Sequence, residues 1–189
     1  TKLVPYGQFG GAVNFSNDDE GSFINATDCG TTYNGVTVSL WLKSTDGEAV
    51  ALNSYAQSNG LTYRVKLLWN GDVRFRVKAP YGTEAVGGII NDGAWHHIVG
   101  VGLENASGTF VKIFVDGSLK DTQSADDDVT NSGGASLSIG RTFISAEGVD
   151  HYEGLIDEIA IWKRALSDAE VIALYNYSKK HFYPVFQNI

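Results

Sequence analysis

A chain of 189 residues that is 43% hydrophobic and 12% aromatic is long enough to bury one full core and too apolar to be disordered. Its formal charge of −8 argues against general binding to nucleic acid or to an anionic membrane, both of which need a basic surface. No apolar run approaches the length of a membrane span.

Short apolar alternations separated by Gly, Asn and Asp recur from end to end, which is the pattern of an antiparallel β-sandwich. Acidic residues cluster at Asp18-Asp19-Glu20, at Asp126-Asp127-Asp128 and from Glu147 to Glu158. Such clusters read either as solvated loops or as oxygen ligands for calcium, a hard cation. Cys29 is the only cysteine, so no internal disulfide exists. Four N-x-S/T sequons, at Asn14, Asn25, Asn105 and Asn176, carry no weight in a chain so rich in Asn, Ser and Thr. The chain has no methionine and no signal peptide, so residues 1–189 read as a single domain cut from a longer protein.

Val36, Val38, Leu40 and Leu42 share one strand face, with Trp41 pointing away from them. Around Asn70-Gly71 the sequence predicts a hairpin. A two-residue turn would pair Leu68 with Val73 and mix charge into the apolar face. A three-residue loop from Asn70 to Asp72 pairs Trp69 with Val73, Leu67 with Phe75 and Val65 with Val77, and keeps one face wholly apolar. The opposite face then carries Arg64, Lys66, Leu68, Arg74, Arg76 and Lys78, five of the chain's fourteen basic residues. Further on, Val111, Ile113 and Val115 share another strand face.

The stretch from Gly154 to Glu170 reads as a strand, a stop and a capped helix. Alternation puts Leu155, Asp157, Ile159 and Ile161 on one face. Ser167 and Glu170 form a capping box, so the helix starts at Asp168, and Val171, Ile172, Leu174 and Tyr175 give it an apolar face. Residues 166–177 are the one convincing helix. The tail from Lys179 to Ile189 holds Phe182, Tyr183, Val185 and Phe186, which favours packing as a last strand over a linker.

Four segments carry a family resemblance. They are Phe9-Gly10-Gly11-Ala12-Val13-Asn14-Phe15, then Val38-Ser39-Leu40-Trp41-Leu42, then Trp95-His96-His97-Ile98 with Ile113-Phe114-Val115-Asp116-Gly117, and finally Gly154 to Ser167. In this order and spacing they resemble the opening strand, an early core strand, the middle hairpin and the last long strand of laminin-G-like jelly-roll domains in the concanavalin A-like lectin and glucanase superfamily. The resemblance implies an all-β fold: a two-sheet antiparallel jelly-roll sandwich with one short C-terminal helix. It also implies a larger extracellular or cell-surface parent protein. It leaves function open, because fold does not imply function.

A carboxylate among apolar strand residues needs a partner, since an unpaired buried charge is costly. The resemblance implies a structural calcium ion where the last long strand meets the N-terminal strand, with Asp157 as a ligand and Asn14, Ser16 and Asp18 adding oxygens. The family's usual Asp-Gly after the first strand is Ser16-Asn17 here. The rival reading pairs Asp157 with backbone amides, Arg141 or Arg164. His96 and His97 are adjacent on a strand and point to opposite faces, so they do not chelate one ion. Trp41, Trp69 and Trp162 are candidate sugar-stacking platforms, with Trp41 the best fit to the core.

The basic hairpin face places like charges opposite one another, which destabilises a sheet unless acids or an anionic ligand offset them. Glu48, Glu84 and Glu104 are candidate neutralising residues. The resemblance makes sulfated or uronic glycans a plausible ligand class, and Arg contacts such anions in bidentate fashion. The expected glycan contacts are Arg64, Lys66, Arg74, Arg76 and Lys78, with Tyr81, Asp150, His151 and Tyr152 at a loop rim. Retaining glycosidases need two carboxyl groups about 5 to 5.5 Å apart. No E-x-D-x-E strand supplies them, and no Ser-His-Asp set, Cys-His pair or phosphate loop is visible. The expectation is a non-catalytic carbohydrate-binding module, such as part of an adhesin or of a polysaccharide-degrading enzyme. A structural or protein-binding domain of a surface protein, and a glycoside hydrolase, are the alternatives.

Overall fold

Residues 1–16, 23–26, 35–56, 60–77, 82–105, 108–125, 136–142 and 151–181 are described by a computed structural model. In chain order the elements are β1 (Lys2–Gly7), β2 (Gly10–Phe15), β3 (Ile24–Ala26), β4 (Gly35–Lys43), β5 (Ala49–Ala56), β6 (Gly60–Leu67) and β7 (Asp72–Val77). They continue with β8 (Glu84–Ile89), β9 (His96–Asn105), β10 (Gly108–Val115), β11 (Ser118–Ala125), β12 (Ser136–Ile139), β13 (Gly154–Trp162) and α1 (Asp168–His181). The strands form a seven-stranded sheet, β1-β2-β13-β4-β9-β10-β11, and a six-stranded sheet, β3-β12-β5-β6-β7-β8. All pairings are antiparallel. This is the jelly-roll sandwich with one short helix that the alternation and the motifs predict.

The core lies between the sheets. Val38, Leu40 and Leu42 of β4, Ile98 of β9 and Ile113 of β10 face Val65, Leu67, Val73 and Phe75 of β6 and β7, all fully buried. Close packing is visible at Gly100, where an added Cβ would lie 2.2 Å from the Phe75 ring. The aromatic ring of one sheet therefore needs a residue with no side chain on the other.

A second cluster covers the outer face of the seven-stranded sheet. Val99, Val101 and Phe114 meet Leu166 and Val171, with Trp162 and Ala165 against them. The helix is held here by its start. Glu170 N–H donates to Ser167 Oγ (3.3 Å) and Ser167 N–H donates to Glu170 Oε2 (2.8 Å), the reciprocal capping box. Arg164 grips the same carboxylate with both terminal nitrogens, and Lys112 on β10 pairs with Asp168 at 2.6 Å. The apolar stripe is narrower than the sequence suggests. Val171 is buried and Leu174 and Tyr175 are half-buried, but Ile172 turns to solvent.

Two register expectations are corrected. In the β6–β7 hairpin Leu67 pairs with Val73 and Val65 with Phe75, so Trp69 does not face Val73. The loop is Trp69-Asn70-Gly71, closed by Leu68 N–H to Asp72 O at 2.9 Å, with Gly71 at φ 87°. The shift is by two residues, and a shift of two preserves which face each side chain takes. In β13 the alternation breaks. A bulge between Asp157 and Ala160, with Glu158 at φ 50°, flips the strand's faces. Ile156 enters the core before the bulge, and Ile159 and Ile161 pack on it afterwards. Asp157 is therefore not on the face of Ile159 and Ile161; it lies on the outer, helix-covered side.

Candidate functional site

The outer face of the six-stranded sheet carries the basic residues in ordered rows. Following the pairings sideways, Asn25, Ser138, Asn53, Arg64, Arg76 and Glu84 stand in one line across all six strands. The next line reads Val50, Lys66, Arg74 and Val86. Successive lines on one face are about 7 Å apart, two residues along a strand. Arg64 therefore faces Arg76, and Lys66 faces Arg74, two like-charge pairs on neighbouring strands.

These side chains line a concavity of about 470 Å³ with Leu68, Gly82 and Glu84. Glu84 pairs with Arg74, and Glu48 at the margin pairs with Lys66 at 3.0 Å. Both carboxylates were among those the sequence offered as neutralising residues. Arg64 is only 6% exposed. Beside it Asn53 donates to Thr142 Oγ1 at 3.2 Å, while Asn53 Oδ1 and Ser138 Oγ are buried with no hydrogen-bond partner among the described residues. Asn53 and Ser138 were not legible as site residues, because only the β12–β5–β6 pairing brings them to the line of Arg64.

Of the expected glycan contacts, Arg64, Lys66, Arg74 and Arg76 converge on this groove, while Lys78, Tyr81 and Asp150 lie outside the described residues. His151 is half-buried and bridges to Arg141. Tyr152 corrects the expectation of a rim residue, since it is fully buried. Its hydroxyl lies 3.2 Å from the carbonyl oxygens of both Lys43 and Leu155, and its ring meets Phe15 edge-on. A buried tyrosine hydroxyl needs such a partner, and these carbonyls supply it.

Asp157 takes the rival role foreseen for it. Its Oδ2 accepts from Phe9 N–H at 3.0 Å and its Oδ1 from Glu158 N–H at 2.9 Å. Gly7 presses on the same carboxylate, where an added Cβ would lie 2.6 Å from Oδ2. Asn14 pairs with Leu155 and Ser16 is exposed beyond the end of β2, while Asp18 is outside the described residues. Among the described residues no three His, Cys, Asp or Glu side chains are grouped to hold a metal. Among the described residues Asp157 caps the β1–β2 turn.

The histidine pair splits to two faces, as alternation requires. His96 Nδ1 bonds to Asp116 at 2.8 Å and its Nε2 to Asp92 at 3.1 Å. His97 is buried, with Nε2 2.8 Å from Ser39 Oγ. Its ring lies near-parallel to those of Trp41 and Tyr175, at centroid distances of 5.0 and 5.7 Å, with those two rings 5.9 Å from each other, and Phe9 meets Trp41 edge-on at 5.1 Å. Burial pushes the His97 pKa down to about 4. This cluster pins the helix to the sheet, and it places Trp41 in the interior, as the family resemblance implied.

The sandwich thus has a helix packed on one outer face and a polar concavity on the other. The chain belongs to the concanavalin A-like lectin/glucanases superfamily, whose laminin-G family model matches residues 17–172. No curated protein sequence matches the chain. Among solved structures it is similar to domain 4 of AbnA, a GH43 extracellular arabinanase from Geobacillus stearothermophilus in complex with arabinotriose, at 23% identity and TM-score 0.69 over 92% of this chain and 80% of that one. It is also similar to the heptameric SAP-like pentraxin of Limulus polyphemus, at 15% identity and TM-score 0.70 over 86% and 80%. A third similar structure is the binding domain of botulinum neurotoxin DC in complex with SialylT, at 15% identity and TM-score 0.69, where the match spans 94% of this chain but 44% of that one. These likenesses show the shared fold. Among the described residues no helix is long and apolar enough to cross a membrane.

Proposed function

We propose that this domain is an extracellular, non-catalytic carbohydrate-binding module, and that the outer face of the six-stranded sheet holds an acidic glycan. The observation that carries the reading is the two rows of basic side chains that line the groove. Arg64, Lys66, Arg74 and Arg76 stand against Glu84 and Glu48, within a chain of formal charge −8. Four cationic side chains in two adjacent rows on one concave face are the arrangement that a sulfate or uronate would complete. The complexes of similar folds with arabinotriose and with SialylT support a saccharide as the ligand class. Cleavage is not part of the reading, because glycoside hydrolysis uses two carboxyl groups. Among the described residues the acid lining this groove is Glu84, and it is engaged by Arg74.

The test is binding of the purified domain to polygalacturonate, hyaluronan and neutral arabinan at rising salt. Acidic polysaccharide binds at low salt and weakens steeply as salt screens the patch, and Arg74→Gln with Arg76→Gln abolishes it. Salt-independent binding of arabinan alone would replace the acidic ligand with a neutral one. Absence of binding to all three would overturn the reading in favour of a structural or protein-binding domain.

A further inference from the structure

The groove carries its own anion. Register sets Glu84 of β8 opposite Arg76 of β7, yet the Glu84 carboxylate accepts from Nη1 of Arg74, the diagonal neighbour. Diagonal partners on one sheet face stand about 7–8 Å apart, within reach of two long side chains. Both residues line the concavity and each side chain is 34% exposed, so a ligand entering the groove meets this pair.

Three features make this pair exchangeable. Glu84 bonds to one nitrogen, Nη1, while Arg74 Nε is buried with no hydrogen-bond partner among the described residues. A guanidinium takes a carboxylate best through two parallel N–H bonds, so the pair falls short of what Arg74 can give. An ion pair this exposed also adds little to stability, and parting it costs the fold little. Lastly, β8 is at the end of its sheet with no described strand beyond it, so a displaced Glu84 side chain has water to turn into. The pair at the helix start is built differently: Arg164 holds Glu170 with both terminal nitrogens, and the Ser167 N–H holds the same carboxylate at 2.8 Å.

We propose that Glu84 is a specificity-determining residue of the groove: it holds Arg74 in the free domain, and a uronate of the glycan takes its place there. Binding is then an exchange of one arginine–carboxylate pair for another. The incoming uronate is free to align both oxygens with the guanidinium fork, which Glu84 does not do. A neutral ring offers only hydroxyls, whose bonds are weaker than the charged one already in place, and it leaves the pair closed. The charge of Glu84 therefore opposes acidic ligands and spares neutral ones. Specificity is a difference of affinities, and Glu84 sets that difference. The proposal rests on the acidic-glycan reading and adds to it the residue that limits how tightly the acid is held.

Calorimetry with trigalacturonate and with neutral arabinotriose tests this on the parent, Glu84→Gln and Glu84→Asp. Glu84→Gln keeps the size of the side chain and removes its charge. It should tighten trigalacturonate about tenfold, the scale of one hydrogen bond to a charged group. Glu84→Asp keeps the charge but shortens the reach to Arg74, and should tighten trigalacturonate by a smaller factor. Arabinotriose should gain nothing from either change, and melting curves verify that the variants fold. If the parent binds trigalacturonate and Glu84→Gln binds it no more tightly, the exchange is overturned while the basic groove stands. If Glu84→Gln tightens it but Glu84→Asp matches the parent, the charge acts without the bond to Arg74, and the exchange is again overturned. Equal tightening of arabinotriose overturns it too, since the substitution then opens the groove to any sugar. If neither the parent nor Glu84→Gln binds trigalacturonate, the acidic-glycan reading falls and this inference with it.

Discussion

Single side chains decide how this fold responds to acid and to chelators. His97 is buried, and desolvation holds its pKa near 4 against an ordinary 6.5. The folded state therefore excludes a proton that the unfolded chain takes up below pH 6.5. Its contribution is fully present above that value and is lost as pH falls toward 4. His96 has the opposite sign. Partial burial works against its charged form, yet its bonds to Asp116 and Asp92 outweigh this and raise its pKa. Its contribution is present below pH 6.5 and is lost as pH rises through the raised value. Urea midpoints measured at pH 7 and pH 4.5 should thus converge in His97→Gln relative to the parent, and diverge further in His96→Gln. Asp157 gives a second residue-level expectation. Removing it leaves the Phe9 and Glu158 amides without their acceptor, at about 1–3 kcal/mol. Asp157→Ala should lower the melting temperature by the same amount in EDTA and in calcium. A loss seen only in calcium would restore it as a metal ligand.

At the scale of elements, parity was legible and breaks in parity were not. The apolar face of β6 and β7 follows from the alternation of Val65, Leu67, Val73, Phe75 and Val77, and it survives a loop placed one pair away from the structure's. The helix start was legible because Ser167 and Glu170 mark it chemically. The bulge after Asp157 was not, since nothing in the residues 154–162 announces a positive φ at a glutamate. The site was legible in half: four cations on two adjacent strands show in local sequence, whereas Asn53 and Ser138 depend on partners far along the chain. Gly87, Gly100 and Gly102 lie at the contact between sheets. Gly100→Ala pushes a methyl group into the Phe75 ring, and overpacking of this kind costs about 1–3 kcal/mol. The paired change Gly100→Ala with Phe75→Leu should recover much of the stability in chemical denaturation. If the single variant melts like the parent, the sheets are less closely fitted than the structure shows.

Across the whole molecule the two outer faces divide the work. The seven-stranded sheet is closed by α1 and the stack of Phe9, Trp41, His97 and Tyr175, and the six-stranded sheet is left to present charge. The same layout has a consequence for the newborn chain. In the seven-stranded sheet β13 lies between β2 and β4, and Asp157 caps a turn 148 residues upstream. The N-terminal hairpin, β1 with β2, thus has no seat until nearly the entire domain has left the ribosome. Until then β4 offers an open edge of fully buried-type residues, Val38, Leu40 and Leu42, with its rightful neighbour not yet made. Folding here is a closing stitch: the last of the described strands to be synthesised is the one that joins the first two to the rest, and a pause before residue 154 leaves the chain waiting with its seam open.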